Sequence, residues 1–494
     1  MSEVRSHMLA PVEVAAPSTR HTLVGSVRVF LAESLLVPTG LVIAAYLARR
    51  LGPEGYGLFA VATALVTWIE WSLAALFSRA SVKFVADAQD WRSVGSTILS
   101  VHLLVSVAAA VLLYLLASPL AAFLGTPALT GYLRIFALDI PLFCLAQAHR
   151  NILVGLGSFA QRAWASVARW VSRLVLVILL VELGLSINGA ILGSIGASLF
   201  ELAVVRGFVR PAFSVQAALR IRKLWGYAMP LLLSALALRL FDKLDIMALM
   251  ALSRSPDTAG VYAAAQNLAL LPALFTASVS PLLLSALSRA LRDGDVALGR
   301  RLADHAMRGV LLLLPFAGLV AGAASELVAL VFGDAFGEAG RLLSWLIFAA
   351  VALLFVSVGT AILTAAGRLG LILALTAPLP VLALVGYLIL IPRMGSLGAA
   401  MVTCACAVSG ALAVLAAVHR VSQTRLPAAT MLRCGLLCAL ACAAAILLPT
   451  PGWLVIAKLL ALSLAIPPAL MFLGEFSSAE LSELRALLRR PIPG

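Results

Sequence analysis

Residues 94–117 read VGSTILSVHLLVSVAAAVLLYLLA, a stretch without a single lysine, arginine, aspartate or glutamate. As an α-helix, a segment of this length extends about 36 Å at ~1.5 Å per residue, which exceeds the ~30 Å hydrocarbon core of a bilayer. Similar apolar stretches recur along the whole chain, and the alternating ten-residue strands of membrane barrels are absent. The sequence therefore predicts an all-α polytopic membrane protein.

The composition supports the same fold class. Apolar residues make up 62% of the 494 and charged residues 12%, whereas soluble domains are about half apolar and about a quarter charged. The net charge of +14 does not indicate a nucleic-acid partner, because the basic residues lie in short loops between apolar spans. The partners expected from composition are membrane lipids.

The distribution of lysine and arginine predicts the orientation. With basic residues at span ends counted in the adjoining loop, fourteen spans leave 24 of them in inner segments, 5 in outer segments and 7 within spans. Cytoplasmic loops of membrane proteins carry this excess of positive charge. We expect about fourteen transmembrane helices, with both termini in the cytoplasm of a cell whose inner (plasma) membrane holds the protein.

An internal repeat relates the two halves of the chain. PEGYGLFA (53–60) and PDTAGVYA (256–263) match at an offset of 203 residues. Ile152-Leu153 with Gly157 matches Ile362-Leu363 with Gly367, and Gly189 matches Gly398. Each match pairs one helix with the sixth helix after it. Such an offset preserves orientation and predicts two parallel six-helix lobes around a central cavity, followed by two additional helices.

The predicted domain boundaries follow from this repeat. They are a cytoplasmic disordered tail (1–23), an N-terminal lobe (24–210), a cytoplasmic interfacial linker (211–224), a C-terminal lobe (225–420), two further spans (421–474) and a cytoplasmic amphipathic tail (475–494).

The segments between the predicted spans are too short to form a soluble catalytic domain. No loop exceeds about twenty residues, and the GxxxxGK[ST] phosphate loop is absent. The six cysteines lie inside apolar spans without CxxC pairs, so we interpret them as packing residues. We predict a transporter rather than an enzyme, with no cofactor and no metal site.

Three segments resemble a known family. LARRLGPEGYGLFAVATAL (47–65) is similar to the first-loop signature of polysaccharide transporters, the lipid-linked oligosaccharide flippases of the multidrug/oligosaccharidyl-lipid/polysaccharide exporter superfamily. The segments 227–268 and 327–346 resemble the family's seventh helix and the loop after its ninth. The resemblance covers about residues 24–420. It implies transbilayer movement of polyprenyl-diphosphate-linked sugars during surface polysaccharide assembly, including O-antigen or exopolysaccharide precursors, alongside polymerase machinery.

Charged residues inside the spans are the candidate site, because a charge in hydrocarbon is costly. We expect four cations to face a substrate diphosphate: Arg239, Lys243, Arg28 and Arg173. Three carboxylates are candidates for coupling to an ion: Glu33, Asp242 and Asp245.

Structural roles compete with these assignments. Arg239 is spaced to pair with Asp242, and Arg28 to reach the lipid headgroups. Glu70 and Glu201 are the alternative partners for Arg173 and for Arg169 one turn away. Lys458, near a helix end, is expected to extend to the headgroups.

Other functions remain open at this point. A fourteen-span relative in the same family flips the peptidoglycan lipid precursor, and the sister branch exports cationic drugs in exchange for ions. A membrane glycosyltransferase or polymerase is disfavoured, because the most acidic outer loop, 325–341, is short.

Overall fold

The computed structural model describes residues 28–211, 241, 243–423 and 427–476. All regular elements in these ranges are helical, which confirms the predicted fold class. After a helical stretch over 28–34, the helices are α1 (Leu36–Ala86), α2 (Trp91–Phe123), α3 (Leu129–Phe136), α4 (Asp139–Gly155), α5 (Phe159–Leu180), α6 (Ser186–Phe208), α7 (243–253), α8 (Pro256–Ala269), α9 (Ala273–Arg292), α10 (Val296–Leu311), α11 (Leu314–Gly322), α12 (Ala324–Phe332), α13 (Ala339–Ala365), α14 (Leu369–Thr376), α15 (Pro378–Ser422), α16 (Ala428–Leu447) and α17 (Leu454–Phe472).

Nine helical segments of the described chain are long and apolar enough to cross a membrane. Three of them contain 50 to 59 residues, and a helix of ~50 residues is roughly 75 Å long at ~1.5 Å per residue. Each of the three leaves helical geometry at one glycine, namely Gly52, Gly184 or Gly395. These segments therefore have the length of two crossings each, and the count of fourteen remains a prediction.

The sequence repeat has a counterpart in backbone geometry. Gly157 and Gly367 both end a helix with φ of 72°, in the left-handed region that glycine adopts without strain. At both positions the next amide donates to a leucine carbonyl five residues earlier, Leu153 at 2.8 Å and Leu363 at 2.9 Å. Matched sequence at an offset of 210 residues thus forms the same helix-ending turn twice.

The described chain divides into two compact units. The first contains Met1–Ala277 and Leu373–Cys406, and the second contains Ser278–Ile372 and Ala407–Gly494. In the first unit, α1 packs against α4 and α8, and α5 packs along α6. Gly189 and Gly193 let α6 approach the α5 backbone at Leu180 and Val177, as small residues do between membrane helices. The lobe boundaries predicted from the repeat remain predictions.

In the second unit, α11 lies directly against α16. Gly318 and Gly322 face the backbone of Cys438 and Cys442, so closely that a Cβ atom at either glycine would overlap a carbonyl group. Gly318 and Gly322 thus act as a GxxxG pair that lets two membrane helices pack closely. The four residues form a seam in which each glycine accommodates one cysteine.

Lys458 corrects an expectation from the sequence. Its side chain is 4% exposed and forms an ion pair with Glu326, instead of extending past the helix end. The ammonium group also donates to the carbonyls of Ala445 (3.1 Å) and Leu448 (3.0 Å). Because the last turn of α16 offers free carbonyls and α12 offers a carboxylate, Lys458 finds its partners within the protein.

Candidate functional site

The centre of the candidate site is Glu201 on α6, which is fully buried. Arg169 of α5 donates to one carboxylate oxygen at 3.0 Å, and Arg150 of α4 lies 3.0 Å from the other. Both arginines are also nearly buried. Desolvation of a lone charge here would cost several kcal/mol, so Glu201 is stabilised by holding two guanidinium groups.

Glu33 extends this arrangement toward the surface. Ser166 donates to its carboxylate at 2.8 Å, and guanidinium nitrogens of Arg162 and Arg150 lie 3.5 and 3.9 Å away. The side chains of Glu33 and Arg162 are 30% and 27% exposed. Arg150 therefore connects a half-exposed carboxylate to the buried Glu201.

Two further carboxylates, Glu70 on α1 and Asp139 on α4, are also buried. They interact with each other and with the charges of Arg169 and Arg173. The guanidinium of Arg173 donates to Ser194 at 3.3 Å, and it forms no ion pair with a described carboxylate. The network thus gathers four arginines and four carboxylates from α1, α4, α5, α6 and the stretch before α1.

The arginines retain unused hydrogen-bond donors. In the described part of the chain, the buried Nε atoms of Arg150, Arg162 and Arg169 have no hydrogen-bond acceptor. The Arg169 guanidinium also lies over the Phe143 ring, 4.7 Å from its centroid. An arginine presents five donors in a fixed plane that suits phosphate oxygens, so the network has capacity to bind an anion.

A second polar cluster surrounds Asp245 on α7. Its buried carboxylate accepts hydrogen bonds from the Tyr262 hydroxyl and the Gln266 amide, both at 2.9 Å. The Thr403 hydroxyl lies 3.2 Å from Tyr262 and 2.8 Å from the hydroxyl of Tyr387. These hydrogen bonds join α7, α8 and the two segments of α15 on either side of Gly395.

The structure brings some predicted site residues together and separates others. Glu33 and Arg173 belong to the arginine–carboxylate network, and Asp245 forms its own cluster. Arg28 is exposed on the stretch before α1. Lys243 is half-buried on α7 and forms no ion pair within the described part of the chain. Arg239 and Asp242 lie outside the described residues.

Sequence reasoning missed two members of the network, Arg150 and Arg162. Arg150 lies near the predicted inner end of the fourth span and was counted with the adjoining loop. It lies on α4, which ends at Gly155, and its guanidinium contacts the buried Glu201. Arg162, Ser166, Arg169 and Arg173 follow one another along α5 at intervals of three or four residues, and this spacing places them on neighbouring positions of one helix surface.

Solved membrane transporters share this fold. A lipid II flippase, MurJ, in an inward closed conformation aligns with 92% of this chain and 99% of its own, with a TM-score of 0.76 and 15% identity. A MATE transporter from Vibrio cholerae aligns with 81% of this chain and 97% of its own, with a TM-score of 0.58 and 16% identity. A MOP superfamily transporter from Pyrococcus furiosus aligns with 85% of this chain and 96% of its own, with a TM-score of 0.55 and 16% identity. No curated protein matches the sequence significantly.

These similarities establish that the chain is an integral membrane protein with the fold of this transporter superfamily. A family model described as polysaccharide biosynthesis protein matches residues 25–283, which is more than half of the chain. The matched region includes both repeat-related segments, 53–60 and 256–263, and every member of the arginine–carboxylate network. The chain belongs to the polysaccharide biosynthesis protein family.

Proposed function

We propose that this protein is a flippase that moves polyprenyl-diphosphate-linked oligosaccharides across the cytoplasmic membrane by alternating access. The substrates would be precursors of O-antigen or other surface polysaccharides. Membership in the polysaccharide biosynthesis family supports the substrate class. The observation that carries the proposal is the concentration of arginines inside the helices of the first unit, among them Arg173, whose guanidinium donates to Ser194 and forms no ion pair with a described carboxylate.

A diphosphate explains why such arginines would be needed. Its negative charges cannot enter hydrocarbon without a large desolvation cost, so a transporter must supply cations along the path. Guanidinium groups bind phosphate oxygens in a bidentate manner and keep their charge when buried. We propose Arg173, Arg28, Lys243 and Arg239 as substrate-binding cations. The carboxylates of the network would hold neighbouring arginines in place between transport events.

Coupling to an ion is a separate part of the proposal. We propose Glu33, Asp242 and Asp245 as the coupling carboxylates. Glu33 is half-exposed and lies among several donors, which suits a group that exchanges partners. Asp245 is a buried carboxylate that accepts hydrogen bonds from Tyr262 and Gln266, and these donors would hold it in place for a coupling ion.

A second candidate is flipping of the peptidoglycan lipid precursor. The fold similarity to a lipid II flippase, over 92% of this chain, favours this candidate over multidrug export. Both lipid substrates carry a polyprenyl diphosphate, so the same cations would serve either one. The sugars distinguish them.

Reconstitution tests the proposal directly. Purified protein in liposomes would be given a fluorescent polyprenyl-diphosphate oligosaccharide, the peptidoglycan lipid precursor, or a cationic drug, in separate preparations. We expect flipping of the oligosaccharide lipid, at least about tenfold faster than in liposomes with the Arg173→Ala variant, because a charge-assisted contact contributes ~1.5–3 kcal/mol. Preferential flipping of the peptidoglycan precursor would support the second candidate, and drug transport alone would contradict both.

A further inference from the structure

The two repeat-related outer segments contact each other in a reciprocal manner. A Cβ atom added to Gly57 of α1 would overlap the carbonyl oxygen of Pro256 and lie 2.8 Å from the Gly260 nitrogen. A Cβ atom added to Gly260 of α8 would overlap the carbonyl oxygen of Pro53 and lie 3.0 Å from the Gly57 nitrogen. The same offset of 203 residues relates Pro53 to Pro256 and Gly57 to Gly260, so each repeat presents the same surface to the other.

The two backbones lie very close together in this crossing, but each interaction between them is weak. The missing Cβ atoms place each glycine Cα beside a carbonyl oxygen, the geometry of Cα–H···O contacts between helices. Beside the crossing, the Asn267 amide donates a hydrogen bond to the Tyr56 hydroxyl, at 2.9 Å. Three charged residues adjoin the crossing, Glu54, Arg254 and Asp257, and all three are exposed.

This combination differs from the helix contacts that hold the second unit together. There, the glycines of α11 are reinforced by ion pairs between the surrounding helices, such as Lys458 with Glu326. At the α1–α8 crossing, neither Glu54 nor Asp257 forms an ion pair within the described part of the chain, so these side chains do not reinforce the contact. A close helix contact in which each interaction contributes little free energy is suited to repeated opening and closing.

We infer that Gly57 and Gly260 form a reversible latch on the outer side, which closes only because both positions lack a side chain. This inference rests on the proposed alternating access and assigns the residues that permit its outer closure. The latch is closed in the structure described here. Because the contact is two-sided, a methyl group at either glycine is sufficient to hold the two segments apart and shift the protein toward the outward-open form.

The experiment measures the latch by crosslinking. Glu54→Cys and Asp257→Cys are combined in a protein without the six native cysteines, and a short bifunctional thiol reagent is applied. We expect efficient crosslinking in this background and at least about fivefold slower crosslinking after Gly57→Ala or Gly260→Ala, since overpacking of this kind disfavours the closed contact. Gly131→Ala is the matched control, because Gly131 lies in the first turn of α3 with open space around it and should leave the rate unchanged.

A permanent helix contact predicts a different pattern. It would make the alanine variants unfold at lower temperature while crosslinking in the folded fraction stayed unchanged, and that result would overturn the latch. A second measurement needs no glycine variant: crosslinking positions 54 and 257 should stop flipping, and cleavage of the crosslink should restore it. Full flipping by the crosslinked protein would also overturn the latch, whereas absence of flipping before crosslinking would instead contradict the proposed function.

Discussion

Glu201 shows how a single buried carboxylate organises the first unit. It is fully buried and contacts both Arg150 and Arg169, so removing its charge leaves two guanidinium groups without their shared partner. Breaking a buried ion pair in this way costs about 3–5 kcal/mol. We expect Glu201→Gln to lower the thermal unfolding temperature of the purified protein and its level in the membrane.

The control for this prediction is Glu182→Gln. Glu182 pairs with Arg50 at 2.6 Å, but their side chains are 46% and 58% exposed, and exposed pairs contribute little. Its unfolding temperature should therefore remain close to that of the unmodified protein. Equal unfolding temperatures for the Glu201 and Glu182 variants would show that the buried network does not contribute to stability.

The predicted cations before and within α7 can be tested separately from stability. Arg239→Ala or Lys243→Ala should abolish polysaccharide export while the protein still accumulates in the membrane, because a mid-membrane cation for the diphosphate is lost. Export would be measured in cells that depend on this protein. Recovery of export when Asp242→Ala is added to Arg239→Ala would indicate an internal ion pair and contradict a substrate-binding role for Arg239.

The sequence predicted part of this site, for identifiable reasons. Arg169 and Glu201 were recognisable as possible partners because both lie well inside apolar spans. Arg162 lies in a short predicted loop, where a basic residue usually serves orientation. Its proximity to Glu33 depends on how α5 packs beside the stretch before α1, and hydrophobic periodicity does not determine that contact.

At the scale of elements, the seam between α11 and α16 gives a clear prediction. Gly322→Leu introduces a side chain where a Cβ atom would already overlap the Cys442 carbonyl and lie 2.8 Å from Ala445. Overpacking costs typically ~1–3 kcal/mol and more where backbone is displaced. We expect a lower unfolding temperature and less folded protein, measured by size-exclusion chromatography at increasing temperature.

Gly435→Leu provides the comparison on the same helix pair. Gly435 lies in α16 and has open space around it, so a leucine there should face no overlap. A destabilisation by Gly435→Leu as large as that of Gly322→Leu would point to a general effect of leucine in this region. The four-residue spacing of Gly318 and Gly322 is visible in the sequence, but their partners, Cys438 and Cys442, are identified only by the structure.

At the scale of the whole molecule, the repeat carried most of the fold prediction. Matching segments at constant offsets predicted that two halves would share backbone geometry, and Gly157 and Gly367 do so to the same φ. The breaks at Gly184 and Gly395 fall at boundaries between spans that the sequence predicts as separate crossings.

The orientation of the molecule is the last prediction, and it follows from the 24 to 5 distribution of basic residues between inner and outer segments. A bilayer favours lysine and arginine on the cytoplasmic side, so a shift by one span would reverse this balance. Reporter fusions after Arg220 and Arg300 should give cytoplasmic signals, and a fusion after Pro256 should give an outer signal. Pro256 is the most informative of the three, because its carbonyl forms part of the α1–α8 crossing. An outer signal at either basic segment would mean that the protein has the opposite orientation, and the latch would then close the cytoplasmic side.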